Sequence, residues 1–243
     1  MPVAFCGDIH LDTLTHAGLE IAYQSIIRNT KDCKTLILLG DVHDGRPGEQ
    51  AQKLLEMLAD RFDNVYMVPG NHDFYFHYIH ELPAIAAFYR VLGVTLLYNQ
   101  IVYIPELGKT LFSTLWAGIG NNPVLDYLTS LKIMDFQNIH GYCVEDTVRL
   151  HKDCVDFIEA NIDTVDCIVT HFSPCGLSQS EVHREANKPE IDQYYFTELL
   201  QNQKLISDKP ILWVHGHLHN PAEYDVDNFH VVGVAKSTIK LLP

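Results

Sequence analysis

Five short apolar runs constrain the fold of this chain more than any other feature of its sequence. They are residues 3–6, 35–39, 64–68, 165–170 and 210–214. Each is rich in β-branched residues and bounded by residues that break regular structure, which is typical of buried β-strands. Apolar residues with helical spacing lie between the first three runs, at 17–29 and 49–61. This alternation predicts a βαβαβ unit and an α/β fold with a mainly parallel sheet.

The middle of the chain follows a different pattern. A helix is predicted at 81–91, and after it the runs 94–97, 101–104 and 110–116 follow one another closely. Strands with such short connections indicate an antiparallel portion of the sheet or a second sheet.

The later part of the chain has further regular elements and two stretches without a clear pattern. Residues 144–161 have helical spacing, and residues 222–237 are typical of a hairpin that turns at Asp227-Asn228. The stretches 117–141 and 173–190 are predicted to be irregular loops, which at this length are often functional lids. No repeat or linker appears, so we expect residues 1–243 to form a single domain.

The charge balance and the cysteines narrow the functional classes. With 31 acidic against 17 basic residues, the formal net charge is −14, which disfavours nucleic acids and anionic membranes as partners. No segment reaches the roughly 18 apolar residues of a membrane span, and the N-terminus has no signal pattern, so a cytoplasmic location is expected. The six cysteines show no CxxC spacing. We expect them to be reduced packing residues, with Cys175 exposed.

Every one of the five predicted strands ends in polar residues that can bind metals. These are Asp8 and His10, Asp41, Asn71 and His72, His171, and His217 and His219. Because the carboxyl ends of parallel strands meet at one crevice, these side chains are expected to converge. Carboxylate, imidazole and amide groups without thiolates suit divalent ions such as Mn²⁺, Fe²⁺ and Zn²⁺. Their number exceeds what one ion needs, so two ions are predicted.

The order of these motifs resembles that of a known family. Asp8-Ile9-His10, the segment Gly40 to Asp44, Gly70-Asn71-His72-Asp73, His171 and Gly216-His217-Leu218-His219 match the series DxH, GDxxD, GNHD, H and GHxH. This series is similar to that of the calcineurin-like metallophosphoesterases, and it extends from residue 7 to 219. The resemblance implies a four-layer α/β/β/α sandwich with two mixed sheets and a dinuclear metal site at the C-terminal strand ends.

The resemblance also implies a role for each matched residue. Asp8, His10 and His219 would hold one ion, and Asn71, His171 and His217 would hold the other. The Asp41 carboxylate would bridge both ions, and His72 would act beside them on the reacting phosphate, so that Asp41 and His72 are the catalytic residues. Mn²⁺ is the expected metal, with Fe²⁺, Zn²⁺ and Ni²⁺ as alternatives.

Residues next to these ligands have two interpretations each. Asp44 and Asp73 lie just beyond ligand positions, and we expect them to orient the ligands by hydrogen bonds. His215, Phe74 and Arg184 are candidate substrate contacts, whereas the alternative for each is local bonding, packing or exposure to solvent. Gly216 is expected to allow the tight turn that presents His217 and His219.

The expected function is metal-dependent hydrolysis of a small phosphoester. Two bridged ions lower the pKa of a shared water, so that hydroxide attacks phosphorus without a covalent intermediate. A phosphodiester, such as a cyclic nucleotide, is expected ahead of a monoester. The alternatives are a nuclease of the double-strand-break repair type and a non-catalytic metal-binding scaffold. The protein serine/threonine phosphatases carry GDxHG, GDxVDRG and GNHE, which this chain does not match. Oligomeric state is left open.

Overall fold

Two β-sheets packed face to face form the centre of the molecule in a computed structural model that describes residues 1–186, 188–201 and 205–242. The strands are β1 (Val3–Cys6), β2 (Thr35–Leu38), β3 (Asn64–Met67), β4 (Thr95–Leu96), β5 (Gln100–Ile104), β6 (Gly108–Ser113), β7 (Cys167–Thr170), β8 (Ile211–His215), β9 (Ala222–Val226), β10 (Phe229–Gly233) and β11 (Ile239–Leu242). The α-helices are α1 (His16–Asn29), α2 (Glu49–Arg61), α3 (Leu82–Val91), α4 (Pro123–Lys132), α5 (Asp135–Asn138), α6 (Val144–Asn161), α7 (Glu181–Ala186) and α8 (Pro189–Tyr195).

Both sheets are mixed. The first has the order β11-β1-β2-β3-β4, in which β11 is antiparallel to β1 and the other neighbours are parallel. The second has the order β5-β6-β7-β8-β10-β9, with antiparallel pairs only at its two edges. The predicted second sheet is therefore present, and β9 and β10 form the predicted hairpin.

The apolar runs are continuous because the central strands are covered on both faces. In β1, Val3 and Phe5 point into the layer between the sheets, whereas Ala4 and Cys6 belong to the core under the helices. A strand buried on both sides shows no alternation of apolar and polar residues. Helices cover the outer face of each sheet, and the predicted four-layer α/β/β/α sandwich is confirmed.

The two stretches predicted to be irregular contain helices, so that prediction is wrong. Residues 117–141 include α4 and α5, and residues 173–190 include α7 and the start of α8, except for Asn187, which lies outside the described residues. Helix α4 has apolar residues at helical spacing, but they lie on its exposed side, and its buried residues are the polar Asp126 and Thr129.

Two further observations concern accessibility. Cys175 is buried and Cys143 is exposed, which reverses the expectation for Cys175. Ser173 Oγ donates to the Cys175 carbonyl, and the Cys175 sulfur accepts from the Leu177 N–H at 3.4 Å, so the side chain faces the turn that follows it. In the described part of the chain, no helix combines the length and the apolar character needed to cross a bilayer.

Candidate metal centre

The polar residues that follow the strands meet at the carboxyl edge of the two sheets. One group contains Asp8, His10 and His219, whose ligand atoms all lie within 4.8 Å of one another. The Nε2 atoms of His10 and His219 are 3.3 Å apart, and His219 Nε2 lies 3.8 Å from an Asp8 carboxylate oxygen. These are the three residues expected to hold one ion.

A second group surrounds His171. The Nε2 atom of His171 lies 3.1 Å from Asn71 Oδ1, 3.3 Å from Asp41 Oδ1 and 3.1 Å from His217 Nδ1. His171 Nδ1 lies 2.7 Å from the carbonyl oxygen of Leu39, to which it can only donate. The second ring nitrogen is thus left to present a lone pair to the centre when the imidazole is neutral.

Asp41 lies between the two groups. One of its carboxylate oxygens faces His171, and the other lies 3.8 Å from His10 Nε2. The side chain is buried, so the carboxylate contacts the two groups rather than solvent. This is the position that a bridging ligand requires.

The backbone is left-handed at five of the seven predicted ligands. The φ angles are 42° at Asp8, 46° at His10, 50° at Asp41, 66° at His217 and 58° at His219. Non-glycine residues adopt this conformation rarely and at a cost, and such residues concentrate at functional sites. The backbone geometry therefore identifies these residues as a functional site independently of the chemistry of their side chains.

Two glycines allow the close approach of the ligand loops. A Cβ at Gly216 would lie 2.8 Å from Asp8 Oδ2, and one at Gly70 would lie 2.7 Å from the His171 ring. Gly216 itself is not left-handed, and the left-handed residues that follow it are His217 and His219. Gly216 is required for space next to the Asp8 carboxylate.

Electrostatics keep most of these groups in the form that binds a cation. Burial raises the pKa of Asp41, but His171 and His72 outweigh this effect and hold it well below its usual value. Burial lowers the pKa of His10 and of His219 to about 4. Neutral imidazoles and an ionised carboxylate are the protonation states of metal ligands.

His171 and Asp8 titrate differently because they lie among carboxylates. Burial lowers the pKa of His171, but Asp41 and Asp8 overcome it and raise that pKa to about 9. Burial raises the pKa of Asp8 to about 7, with His171 opposing and Asp41 adding to the shift. A proton on His171 partly offsets the negative charge of this centre, and a divalent ion would do so more completely. The donor set therefore fits two cations of the Mn²⁺ or Zn²⁺ type.

His72 stands at the edge of the centre with one ring nitrogen facing inward. Its Nδ1 lies 2.6 Å from Asp44 Oδ1, and its Nε2 lies 3.9 Å from Asp41 Oδ2. The ring stacks on Tyr75 with 4.3 Å between centroids. Burial opposes protonation of His72, but Asp41 and Asp44 outweigh it and raise its pKa. The arrangement favours an imidazolium that can donate a proton.

Asp73 binds the backbone around the ligands. Its carboxylate accepts from the N–H groups of Asp41 at 2.9 Å, Val42 at 3.2 Å and Gly70 at 2.8 Å. It therefore joins the loops after β2 and β3, which carry Asp41 and Asn71. Asp44 acts instead on the His72 side chain.

The sequence did not indicate Asp135, or the two tyrosines that bind it, Tyr75 and Tyr194, as residues of the site. The buried carboxylate of Asp135 in α5 accepts from Asn71 Nδ2 at 2.9 Å, Tyr75 OH at 2.8 Å and Tyr194 OH at 2.7 Å. The first bond turns the Asn71 amide so that Oδ1 faces His171. No local pattern marks Asp135, because its role depends on how α5 packs against the loop after β3.

A cavity of about 640 Å³ lies above the centre. Asp41, His72 and His217 form its floor, whereas Met134 and Ile191 belong to the segments that cover it. The stretches 117–141 and 173–190, expected to act as lids, both contribute to these walls. The site is a partly open pocket of small-molecule size.

The three candidate substrate contacts do not line this cavity. Phe74 is buried against Trp116, with 5.4 Å between ring centroids. His215 is buried, with Nδ1 2.9 Å from the Gly216 carbonyl and Nε2 2.8 Å from Ser178 Oγ. Arg184 lies along a neighbouring surface groove. The packing and local-bonding interpretations hold for Phe74 and His215, and the substrate role is wrong for both.

The family model of the calcineurin-like phosphoesterases matches residues 1–221. The chain belongs to this family. The resemblance expected from the five motifs is confirmed, and the reaction class of this phosphoesterase is metal-dependent hydrolysis of phosphoesters. No curated protein sequence matches the phosphoesterase significantly.

Solved structures with the same fold are distant in sequence. Phosphopantetheinyl hydrolase from Mycobacterium tuberculosis matches this phosphoesterase with a TM-score of 0.68 and 16% identity, over 97% of this chain and 90% of that one. TT1561 of Thermus thermophilus matches with a TM-score of 0.56 and 11% identity, over 99% and 97% of the two chains. At these identities the likeness concerns the fold alone.

Proposed function

We propose that this phosphoesterase hydrolyses a small phosphodiester at a dinuclear metal centre. The observation that carries the proposal is the pair of ligand groups joined by Asp41 at the floor of a cavity, with His72 facing the same space. Asp8, His10 and His219 would hold one ion, and Asn71, His171 and His217 would hold the other, with the Asp41 carboxylate between the two groups.

The chain's own residues divide the remaining work. Two divalent ions bound there supply Lewis-acid stabilisation and lower the pKa of water. His72 donates its proton to the leaving oxygen, and the pKa of this imidazole, which Asp41 and Asp44 raise, favours that role. Asp44 holds the imidazole in place through Nδ1, so that Nε2 points toward the reacting group.

The ligand set is compatible with Mn²⁺ and with three other divalent metals. Imidazole, carboxylate and amide oxygen are ligands that Mn²⁺, Fe²⁺, Zn²⁺ and Ni²⁺ all accept, and none of the predicted ligands is a thiolate. Since geometry and supply decide between such ions, we propose Mn²⁺ as the activating metal and keep the other three as alternatives.

The charges around the cavity favour a diester over a monoester. Asp44, Asp135 and Asp192 line it together with Lys132 and Lys188, and Lys132 is already paired with Glu190 at 2.5 Å. A dianionic monoester gains little from such a surface, whereas a diester carries one charge less. The apolar side chains of Ile133, Met134 and Ile191 suit an organic group on that diester.

A small substrate is favoured over a nucleic acid. The cavity has the volume of a small-molecule site, and a chain with a formal charge of −14 offers few cations to follow a phosphate backbone. The repair-type nuclease and the non-catalytic scaffold remain the alternatives. The single domain over residues 1–243 and the cytoplasmic location stay predictions.

The test compares bis-p-nitrophenyl phosphate with p-nitrophenyl phosphate, each with Mn²⁺, Zn²⁺, Mg²⁺ or EDTA. We expect turnover only with added metal and a kcat/KM for the diester at least about tenfold higher. Asp41→Ala should abolish turnover and metal binding together, whereas Asp126→Asn, which changes a buried carboxylate away from the centre, should keep both.

Two results would contradict the proposal in different ways. Full activity of Asp41→Ala, or turnover in EDTA, would remove the dinuclear mechanism. Two bound ions without turnover of either ester would favour the scaffold alternative.

A further inference from the structure

Helix α4 presents its apolar side to solvent and its polar side to the protein. Val124, Tyr127 and Leu131 are 68%, 62% and 58% exposed, and Leu128 and Met134 are also exposed. On the opposite side, Asp126 and Thr129 are buried. A surface helix of a globular protein normally has the reverse arrangement.

Polar contacts fix α4 in this orientation. Gln193 Nε2 in α8 donates to Thr129 Oγ1 at 2.7 Å and lies 3.3 Å from Asp126 Oδ1. The backbone N–H of Gly120 donates to the same Asp126 carboxylate at 3.2 Å. Rotating the helix to hide its apolar side would bury the apolar residues but leave these buried groups without partners. The outward apolar face is therefore a fixed property of the fold.

The exposed side chains form one continuous stripe. Val124, Tyr127, Leu128 and Leu131 have the i, i+3, i+4, i+7 spacing of a single helix face. We call these four residues the α4 stripe. From their exposure and side-chain size, the stripe offers on the order of 400 Å² of apolar surface, a size at which a patch on a monomeric protein is often functional.

We propose that the α4 stripe is the contact surface of a homodimer, in which two copies of α4 pack against each other across a twofold axis. In such an isologous contact the same patch serves both partners, so one apolar stripe is sufficient. Two stripes bury on the order of 800 Å² in the core of the contact, and the surrounding rim supplies the rest of the roughly 1,200 Å² at which specific interfaces begin.

The charges on the stripe are compatible with self-association. The chain carries 31 acidic residues, yet between residues 120 and 134 the only acid is Asp126, which faces inward. Lys132, at the end of α4, is paired with Glu190 of the same chain. Two copies can thus approach through α4 without opposing carboxylates, whereas the net charge of −14 disfavours an anionic membrane as the occupant.

Analytical ultracentrifugation of the full-length protein from about one to one hundred micromolar tests this proposal. The wild type should sediment with the mass of two chains of 27.6 kDa each. Leu131→Glu should be monomeric, with a dimer dissociation constant raised roughly a hundredfold or more, since the symmetry brings two carboxylates into an apolar contact. Tyr127→Ser, which adds no charge, should weaken the dimer to a smaller degree.

Val91→Glu is the matched control, because Val91 is an exposed apolar residue at the end of α3, outside the stripe. It should dimerise as the wild type does, and circular dichroism should show that all variants are folded. A wild type that is monomeric throughout the range would overturn the proposal. A dimer that Leu131→Glu leaves intact would do so as well, since it would use another surface. If the wild type is monomeric and binds phosphatidylcholine vesicles, and Leu131→Glu does not bind them, the stripe is a lipid-binding surface and the dimer proposal is overturned.

Discussion

Replacing Asp135 by Ala should weaken one of the two metal sites and leave the other intact. The carboxylate accepts from Asn71 Nδ2, and that bond directs Asn71 Oδ1 toward His171. Asn71 is a predicted ligand of the ion shared with His171 and His217, whereas the group of Asp8, His10 and His219 does not contact Asp135. The variant therefore separates the two sites.

The magnitude follows from the bonds that are lost. Without the Asp135 carboxylate, the Tyr194 hydroxyl still has the Tyr142 hydroxyl as a partner at 3.3 Å. The remaining partner of the Tyr75 hydroxyl is His72 Nε2 at 3.4 Å. A buried donor left without a partner costs about 1–3 kcal/mol, and the Asn71 amide escapes that cost by rotating away from the metal. Loss of such a supporting bond lowers metal affinity about 10- to 100-fold, which is about 1.4–2.7 kcal/mol.

Mn²⁺ titrations of metal-free protein, followed by calorimetry and by electron paramagnetic resonance, resolve the two binding events. Asp135→Asn keeps an acceptor for Asn71 but no charge, so its affinity should fall between those of the wild type and Asp135→Ala. Asp126→Ala removes a buried carboxylate from α4 without touching a ligand and should leave both events unchanged. Equal loss at both sites, or two unchanged affinities in folded Asp135→Ala, would refute the reasoning.

Four further predictions follow from the same site. Asp44→Asn should lower the pKa of His72, so that the alkaline limb of the kcat/KM profile moves down by about one pH unit, because the protonated imidazole is the active form. The affinity for the metal should rise by up to about tenfold per pH unit between about pH 6 and 8, because the ion displaces the proton that His171 holds below a pKa of about 9. Calorimetry in buffers of different ionisation enthalpy would detect the released proton. Removing metal with EDTA should lower the melting temperature, and Mn²⁺ at one hundred times its Kd should restore about 2.7 kcal/mol per ion, as measured by thermal unfolding. Gly70→Ala should lose Mn²⁺ binding in calorimetry while far-ultraviolet circular dichroism stays unchanged, because its Cβ crowds Asp41 and His171.

The sheets could be predicted because their signals are local. The run at residues 35–39 is short, apolar and β-branched, and β2 forms there at Thr35–Leu38. Asp41 follows it directly, so its position at the sheet edge follows from strand polarity. The convergence of the strand ends could therefore be predicted without knowing the structure of the loops.

The packing of the lid could not be predicted, because its helices are held by contacts with distant residues. Asp126 and Thr129 in α4 bond to Gln193, more than sixty positions away in the sequence. The apolar residues of α4 do have helical spacing, so the helix was predictable, whereas its orientation with Asp126 and Thr129 inward was not. The same reason explains Asp135, whose partners in the loop after β3 and in α8 come together only in the folded chain.

Phe74 and His215 were ambiguous for another reason. Both directly neighbour site residues, and sequence proximity cannot tell which side of the backbone a side chain faces. Phe74 points into the core toward Trp116, and His215 is the last residue of β8 and points toward Ser178. A position next to a ligand is thus a weak indicator of substrate contact.

The strained backbone indicates how the metal centre is held together. Five left-handed non-glycine residues cost about 1–2 kcal/mol each, which together is a large part of the roughly 5–15 kcal/mol by which a typical protein is stable. Such a cost persists only where other bonds determine the conformation.

Those bonds are present within the chain itself. Asp8 accepts from the N–H of His217 with both oxygens, at 2.9 and 3.1 Å, and Asp41 Oδ1 accepts from the N–H of His72 at 3.0 Å. The carboxylates of Asp8 and Asp41 thus fix the loops that carry His217 and His72, and Asp73 accepts from the backbone N–H of Asp41. These contacts involve only protein atoms, so they do not require a bound ion. Metal removal should therefore lower stability by the binding energy of the ions without unfolding the centre, unlike a zinc finger, in which the metal supplies the fold.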